Sequence, residues 1–419
     1  MLSDEREEML PALSVVYVGT LPPHTGGSAV SGALLLQGLA CRGWRIASLS
    51  PLTKESTHAA ATFDSDHPEM RIERFEVPAY ETAPNEPASD DYRRREHEGI
   101  AAKLPQLIEE QRPDVLLAGR ETFAWHVPEF AERYGLPYVV RAAGATTIGM
   151  LRGQHPPDVT RRLVERLARA AAVVSPAAHL ARKLRSVGVA NVLHIANAVD
   201  LDRFRPRPKD GRLLQQLGVG SGDRIVVHAS NLKALKRPLD VVACARIALE
   251  RDPCLVFVVA GDGPLRAAME EEARRAAIAG HFRFVGWIEQ DEMPAYLNAA
   301  DAVVMPCEDE TLARVYLETM ACGRVLVASD IDAAREVVDD GRSGLLFRTG
   351  DIQHMAQKVL MAVGDAALRD RLGREARATM GRHALAPALN AYAQLFRDVA
   401  GRRPARGGSD AWATSPRSC

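Results

Sequence analysis

The sequence predicts an α/β protein: two doubly wound, Rossmann-like domains facing an inter-domain cleft. Three observations carry that expectation. Short apolar runs alternate with longer segments of helical period along nearly the whole chain, the pattern of layered α/β folds. The runs are apolar throughout and do not alternate, as strands of a parallel sheet covered on both faces must be. They also form two series, separated by LDRFRPRPKDGRLLQQLGVGSGD (201–223), which is rich in proline, glycine and charge.

The first series is LSVVYVG (13–19), RIASLS (45–50), RIERFEV (71–77), DVLLAG (114–119), YVVRAAG (138–144), AVVS (172–175) and VLHIA (192–196). The second is RIVVHAS (224–230), LVFVVAG (255–261), FRFVG (282–286), AVVMP (302–306), VLVAS (325–329) and LLF (345–347). Two sheets of six or so strands follow. The expected layout is a flexible N-terminus over 1–12, an N-terminal domain over 13–202, a C-terminal domain over 203–382, a helix over 383–400 and a disordered tail over 401–419. That helix places Leu385, Leu389, Tyr392, Leu395, Phe396 and Val399 on one face, suited to crossing back onto the first domain. Residues 51–70 and 79–95 lack periodicity and read as exposed loops.

Length and composition agree with this. A chain of 419 residues holds two or three domains, and 47% hydrophobic residues exclude wholesale disorder. With 53 basic and 54 acidic residues the net charge is −1, which argues against a nucleic-acid partner. The acidic start MLSDEREEML does not read as a signal peptide. The most apolar runs, such as LVFVVAG, fall far short of the roughly 20 residues of a membrane helix. VTRRLVERLARAAA (159–172) is basic and helical, which leaves open a solvated face or peripheral contact with an anionic membrane surface. The cysteines at 41, 244, 254, 307, 322 and 419 form no C-x-x-C pair, so reduced thiols and a cytoplasmic protein are expected, without zinc or disulfides.

The strongest chemical signal is CEDETLARVYLETMACG (307–323), which follows an apolar strand and runs into a helix expected to begin near Leu312. Glu310 and Glu318 stand with seven residues between them. A helix start suits a diphosphate, and ionised carboxylates accept hydrogen bonds from sugar hydroxyls. By themselves the two residues also fit a helix cap and a solvated helix position. Near the N-terminus, GTLPPHTGGSAVSGALL (19–35) sets Gly26 and Gly27 between a strand and a helix, with His24 in the same loop; paired glycines let backbone approach a ligand closely. GVGSGD (218–223) precedes a strand and does not fit the dinucleotide fingerprint. The pairs DSD (64–66), DLD (200–202) and DID (330–332) sit where aspartate is common in turns, so no metal site is expected.

Taken with their flanks, these residues resemble the retaining family-4 glycosyltransferases with the GT-B fold. Glu310 and Glu318 match the Glu-x7-Glu motif. NAVDLDRFRP (197–206), GDGPLRAAME (261–270), FVGWIEQDEMPAYLNAADAVVMPC (284–307), LETMACGRVLVASD (317–330) and EVVDDGRSGLLF (336–347) match its surroundings. The resemblance spans residues 13–400 and is dense over 197–350. It implies that Glu318 holds the donor ribose and Glu310 the donor sugar, with the amides of Thr311, Leu312, Ala313 and Arg314 near the sugar and diphosphate. Lys236 in SNLKALKRPLDVV (230–242) matches the lysine that binds the diphosphate and offsets leaving-group charge. Asn231 stands where many members carry an arginine, and Lys233 or Arg237 is the substitute, as in N-acetylglucosaminyl-malate synthases. Gly27, Gly261 and Trp287 complete the donor side, and His24, Gly26, His126 and Arg141 the acceptor side.

The chain departs from the family in places. Ala143 occupies the position of the histidine in V-x-x-H-G, with Arg141 or His126 as neighbours for that space. Thr311-Leu312-Ala313 replaces the usual G-F-G, and DIDAARE (330–336) lacks the Gly-Gly before Glu336. The resemblance implies transfer of a hexose-type sugar from a nucleotide diphosphate-sugar co-substrate, with UDP expected, to a small polar acceptor. It implies no other cofactor, acceptor binding by the N-terminal domain and donor binding by the C-terminal one. Two alternatives stay open: another GT-B enzyme such as a nucleotide-sugar epimerase, and a catalytically silent nucleotide-sugar-binding partner.

Overall fold

The computed structural model describes residues 12–24, 26–78 and 89–402. The expectations for residues 1–11 and 403–419 lie outside them. Among the described residues, thirteen parallel strands build two sheets. The first holds β1 (Ser14–Val18), β2 (Arg45–Leu52), β3 (Arg71–Glu76), β4 (Val115–Ala118), β5 (Tyr138–Arg141), β6 (Ala172–Ser175) and β7 (Val192–His194), in the order β3-β2-β1-β4-β5-β6-β7. The second holds β8 (Arg224–Ala229), β9 (Leu255–Ala260), β10 (Phe282–Gly286), β11 (Ala302–Met305), β12 (Leu326–Ser329) and β13 (Leu345–Phe347), in the order β10-β9-β8-β11-β12-β13. Every residue of β1, β4, β5, β6, β9, β11 and β12 is buried, as uniform apolarity requires of strands with helices on both faces.

Two stretches expected to be loops are helical. Within 51–70, a short 3-10 turn at Lys54–Ser56 leads into a helix at Thr57–Asp66. That helix buries only Ala60, so it carries no apolar stripe for periodicity to detect; a bridge from Asp64 to Arg74 at 2.6 Å ties it to β3. Within 79–95, residues 79–88 are outside the described set, but from Asp90 the chain forms a helix that runs to Gln111. The Ser89 side chain caps it by accepting the Tyr92 N–H. Asp91 pairs with Arg94 and Arg95 along its exposed face. The seam also holds a short helix, Gly211–Gln216, capped by Asp210.

The chain crosses between the sheets twice. Residues after β7 lead into the second domain, and a closing helix, Leu385–Gly401, returns. The crossings run side by side, with the Val199 N–H donating to the His383 carbonyl at 2.8 Å. The closing helix buries Leu389, Tyr392, Ala393, Leu395, Phe396 and Val399. It lies on the helix Gly27–Ala40, where a side chain at Gly38 would collide with Leu389, and Phe396 packs 6.1 Å from the Trp44 ring.

The basic segment near 159–172 forms a helix at Pro157–Ala168 whose Val159, Leu163 and Leu167 point into the core. Arg162 and Arg166 lie over Trp125, so its apolar side is already occupied by protein. Among the described residues no helix is long and apolar enough to cross a membrane. Cys41, Cys244, Cys254, Cys307 and Cys322 are free thiols.

Candidate functional site

Strand order reverses between β1 and β4 in the first sheet and between β8 and β11 in the second. In doubly wound sheets ligands bind beyond the carboxyl ends of the strands at such points. In the second sheet, the loop after β8 carries Asn231, Lys233, Lys236 and Arg237, and the loop after β11 carries Glu310 to Ala313. The backbones of the two loops are joined, the Glu308 N–H donating to the Leu235 carbonyl at 2.9 Å. Across this junction Lys236 Nζ is paired with Glu310 Oε2. The other Glu310 oxygen accepts the Thr311 N–H at 3.2 Å.

The other basic residues of the loop divide. Arg237 is turned to Asp240, Nε to carboxylate at 2.6 Å. Lys233 is exposed at the loop surface, yet partial desolvation, together with the charges of Arg120 and Lys236, holds its ammonium below the ordinary lysine value. Asn231 keeps its side-chain oxygen buried without a hydrogen-bond partner.

The helix after the Glu310 loop is Arg314–Ala321, beginning two residues later than expected. The Leu312 carbonyl is engaged outside the helix by Asn197 Nδ2 at 3.1 Å, and Ala313 is extended and offers no side-chain cap. The first amides of this helix are left without a capping side chain. Glu318 is not a solvated helix position: it is 4% exposed. It accepts Arg314 Nη2 at 2.7 Å and Gln290 Nε2 at 3.0 Å. Gly261 has φ +135°, and a side chain there would overlap the Ser230 carbonyl, so only glycine lets the β9 exit close onto that of β8. Trp287 follows Gly286 and remains largely exposed.

On the first domain, Gly26 has φ +121° and precedes the helix Gly27–Ala40. A β-carbon on Gly27 would lie 3.4 Å from Arg314 Cδ, so the glycine loop reaches the second domain. The His24 ring donates to the Pro51 carbonyl at 2.7 Å; burial, only partly offset by that bond, keeps it below the ordinary imidazole value. Arg141 is 4% exposed and donates to Ser31 Oγ at 2.7 Å and Tyr392 Oη at 3.2 Å. His126 does not share its space: it is buried and bonded to Glu96 at 2.9 Å, against the long helix Asp90–Gln111.

Sequence reasoning missed two features. Arg120 follows β4 by two residues at the first sheet's reversal point, its Nε buried without a partner and its charge felt by both His24 and Lys233. No motif marks it; only its place after the fourth strand does. The second is a clasp between domains. Glu336 accepts the Ala178 N–H at 2.9 Å, the His179 N–H, and His179 Nδ1 at 2.7 Å. Burial alone would raise this carboxyl, but those bonds outweigh it and bring it down to about 2. Lys183–Asp332 at 2.9 Å and Arg152–Glu308 flank it. The first aspartate of each DxD pair has structural work: Asp64 holds Arg74, Asp200 accepts the Asp202 and Arg203 N–H groups, and Asp330 holds Arg335.

Comparison with known proteins gives the family and the fold. The family described as glycosyl transferases group 1 matches residues 211–379. A GDP-mannose-dependent alpha-(1-6)-phosphatidylinositol monomannoside mannosyltransferase of Mycolicibacterium smegmatis is 30% identical over 324 residues, 73% of this chain and 81% of that protein. A 2-deoxystreptamine N-acetyl-D-glucosaminyltransferase of Streptomyces fradiae is 29% identical over 330 residues, 72% of this chain and 74% of that protein. Among solved structures, an Anabaena protein in complex with UDP-glucose shares the fold, with a TM-score of 0.76 at 19% identity over 92% of this chain and all of that one. The chain belongs to the group 1 glycosyltransferases and has the GT-B fold.

Proposed function

We propose that the chain is a retaining glycosyltransferase that moves a hexose-type sugar from a nucleotide diphosphate donor, UDP-sugar being the favoured one, to a small polar acceptor, without a metal ion and in the cytoplasm. The observation that carries this reading is the meeting of Lys236 and Glu310 beside an uncapped helix start, at the reversal point of the second sheet. Each carboxylate of the pair Glu310 and Glu318 is matched by a cation, Lys236 and Arg314 respectively. An arriving diphosphate would draw Lys236 away and free Glu310 for sugar hydroxyls, while Glu318 would exchange Gln290 or Arg314 for ribose hydroxyls. Lys233 would supply the second cation and Trp287 a wall for the nucleoside.

In such a transfer the bond from the anomeric carbon to the diphosphate oxygen breaks as the acceptor oxygen bonds to that carbon on the same face. The acceptor proton passes to the departing phosphate oxygen. Lys236 stabilises the charge that develops on that oxygen, the kind of preorganised contribution that dominates many enzymes. The first domain would hold the acceptor near His24, Gly26 and Arg120.

The M. smegmatis relative is named for GDP-mannose and the S. fradiae relative for N-acetylglucosaminyl transfer, so the nucleotide is the variable to test. Thermal unfolding with UDP-, GDP-, ADP- and TDP-sugars should show stabilisation by one series. At 100 times the dissociation constant this amounts to about 2.7 kcal/mol, and Glu318→Ala should lose it. No shift with any series would overturn the donor assignment, and EDTA-sensitive turnover would overturn metal independence.

A further inference from the structure

Beneath the glycine loop, where the two domains and both chain crossings meet, lies a cavity of about 30 Å³ lined in part by Ser31, Arg141, Asn197, Arg314, Leu389 and Tyr392. Its charges do not balance. Arg141 is 96% buried, its exposure being 4%, and its hydrogen-bond partners are the neutral hydroxyls of Ser31 and Tyr392. The phenol of Tyr17, which also lies against it, is kept protonated by burial. No carboxylate pairs with Arg141 among the described residues. Arg314 is 8% exposed; its Nη2 is spent on Glu318, and its Nη1 is buried without a partner. Two guanidiniums thus line one cavity whose lining holds no carboxylate, Glu318 being bonded to Arg314 alone of the two, and a buried charge without a counter-charge is costly.

We infer that this cavity binds a small inorganic anion of chloride size, held between Arg141 of the first domain and Arg314 of the second. One water needs roughly 10–15 Å³ of such space, so the pocket admits a monatomic anion between the two guanidiniums. Leu34, Leu385 and Leu389 form apolar walls, which favour a weakly hydrated ion. Because the two arginines come from different domains, next to the crossing residues Ile195 to Ala198, the bound anion ties the domains together.

The test is thermal unfolding of the full chain in sodium chloride or bromide against sodium gluconate at equal ionic strength, gluconate being too large to enter. A saturable rise in Tm specific to halide, abolished in Arg141→Met while the gluconate curve is kept, is the expected result. Coincident halide and gluconate curves in the wild type would overturn the proposal. Should Arg141→Met fail to fold, anomalous diffraction from wild-type crystals in bromide decides alone. A peak between the two guanidiniums upholds the site, and a cavity without one removes it.

Discussion

Glu310 and Glu336 belong to the same domain and both face the junction with the first, yet they are held in opposite ways. Glu310 is gripped mainly by one flexible side chain of its own domain, Lys236. Glu336 is gripped by two backbone amides and a ring from the first domain. The helix it caps, Ala178–Ser186, begins after Ala177 and has no side-chain cap of its own, so a carboxylate from across the junction completes it. A side-chain pair can be traded for an incoming ligand at small cost, because an ammonium finds a diphosphate oxygen as readily as a carboxylate. A carboxylate fixed on backbone amides has no such exchange. The first arrangement suits a binding site and the second a joint.

Breaking the first should cost catalysis, and this is the largest effect expected. Lys236→Ala should lower kcat by about 10²- to 10³-fold, the usual loss for one preorganised group at developing charge, as initial rates of nucleotide release would show. Its folding free energy should move far less than its rate. Breaking the second should reverse that pattern. Glu336→Gln removes the charge from three hydrogen bonds, each net contribution to a charged acceptor being about 1.5–3 kcal/mol but not additive. A loss of about 2 kcal/mol in denaturant unfolding is expected, with kcat changed by much less than in Lys236→Ala. Equal rate losses in both variants would erase the distinction.

How far the sequence reveals this depends on whether the information is local. The strands of the described residues announce themselves, most plainly where a run such as LVFVVAG is buried on both faces, less so at the sheet edges Arg71–Glu76 and Val192–His194. The helices Thr57–Asp66 and Asp90–Gln111 do not, since one buries a single alanine and the other opens with a dense alternation of acids and arginines. At the site, Glu310, Glu318 and Lys236 are visible as motif positions, but their partners are not. The pairing of His179 with Glu336 joins residues 157 apart in the chain, and no spacing rule connects them. His126 shows the converse: a histidine in a promising stretch that the fold spends on Glu96.

The pH dependence of stability sharpens the comparison on a smaller scale. Glu336 is depressed to about 2, against about 4.3 for a free glutamate. Its folded form therefore binds its proton less readily than the unfolded chain, and stability falls as pH falls. Its contribution is complete above the unfolded value and is lost progressively as pH drops from about 4.3 towards 2. The wild type should lose Tm more steeply than Glu336→Gln across that window, and parallel curves would show that the clasp does not carry the linkage.

The smallest effect should come from Lys183→Ala beside it. The Lys183–Asp332 bridge spans the same junction at 2.9 Å, but both side chains are nearly half exposed. Pairs of this kind are worth about 0.2–1 kcal/mol and weaken with salt. The variant should therefore differ from wild type only at low ionic strength, the difference vanishing near 1 M salt. Glu336→Gln should keep most of its deficit there, because hydrogen bonds from buried amides are screened far less than a solvated ion pair. If salt removed both deficits alike, the joint would be held by surface electrostatics, and the contrast between Glu310 and Glu336 would lose its physical basis.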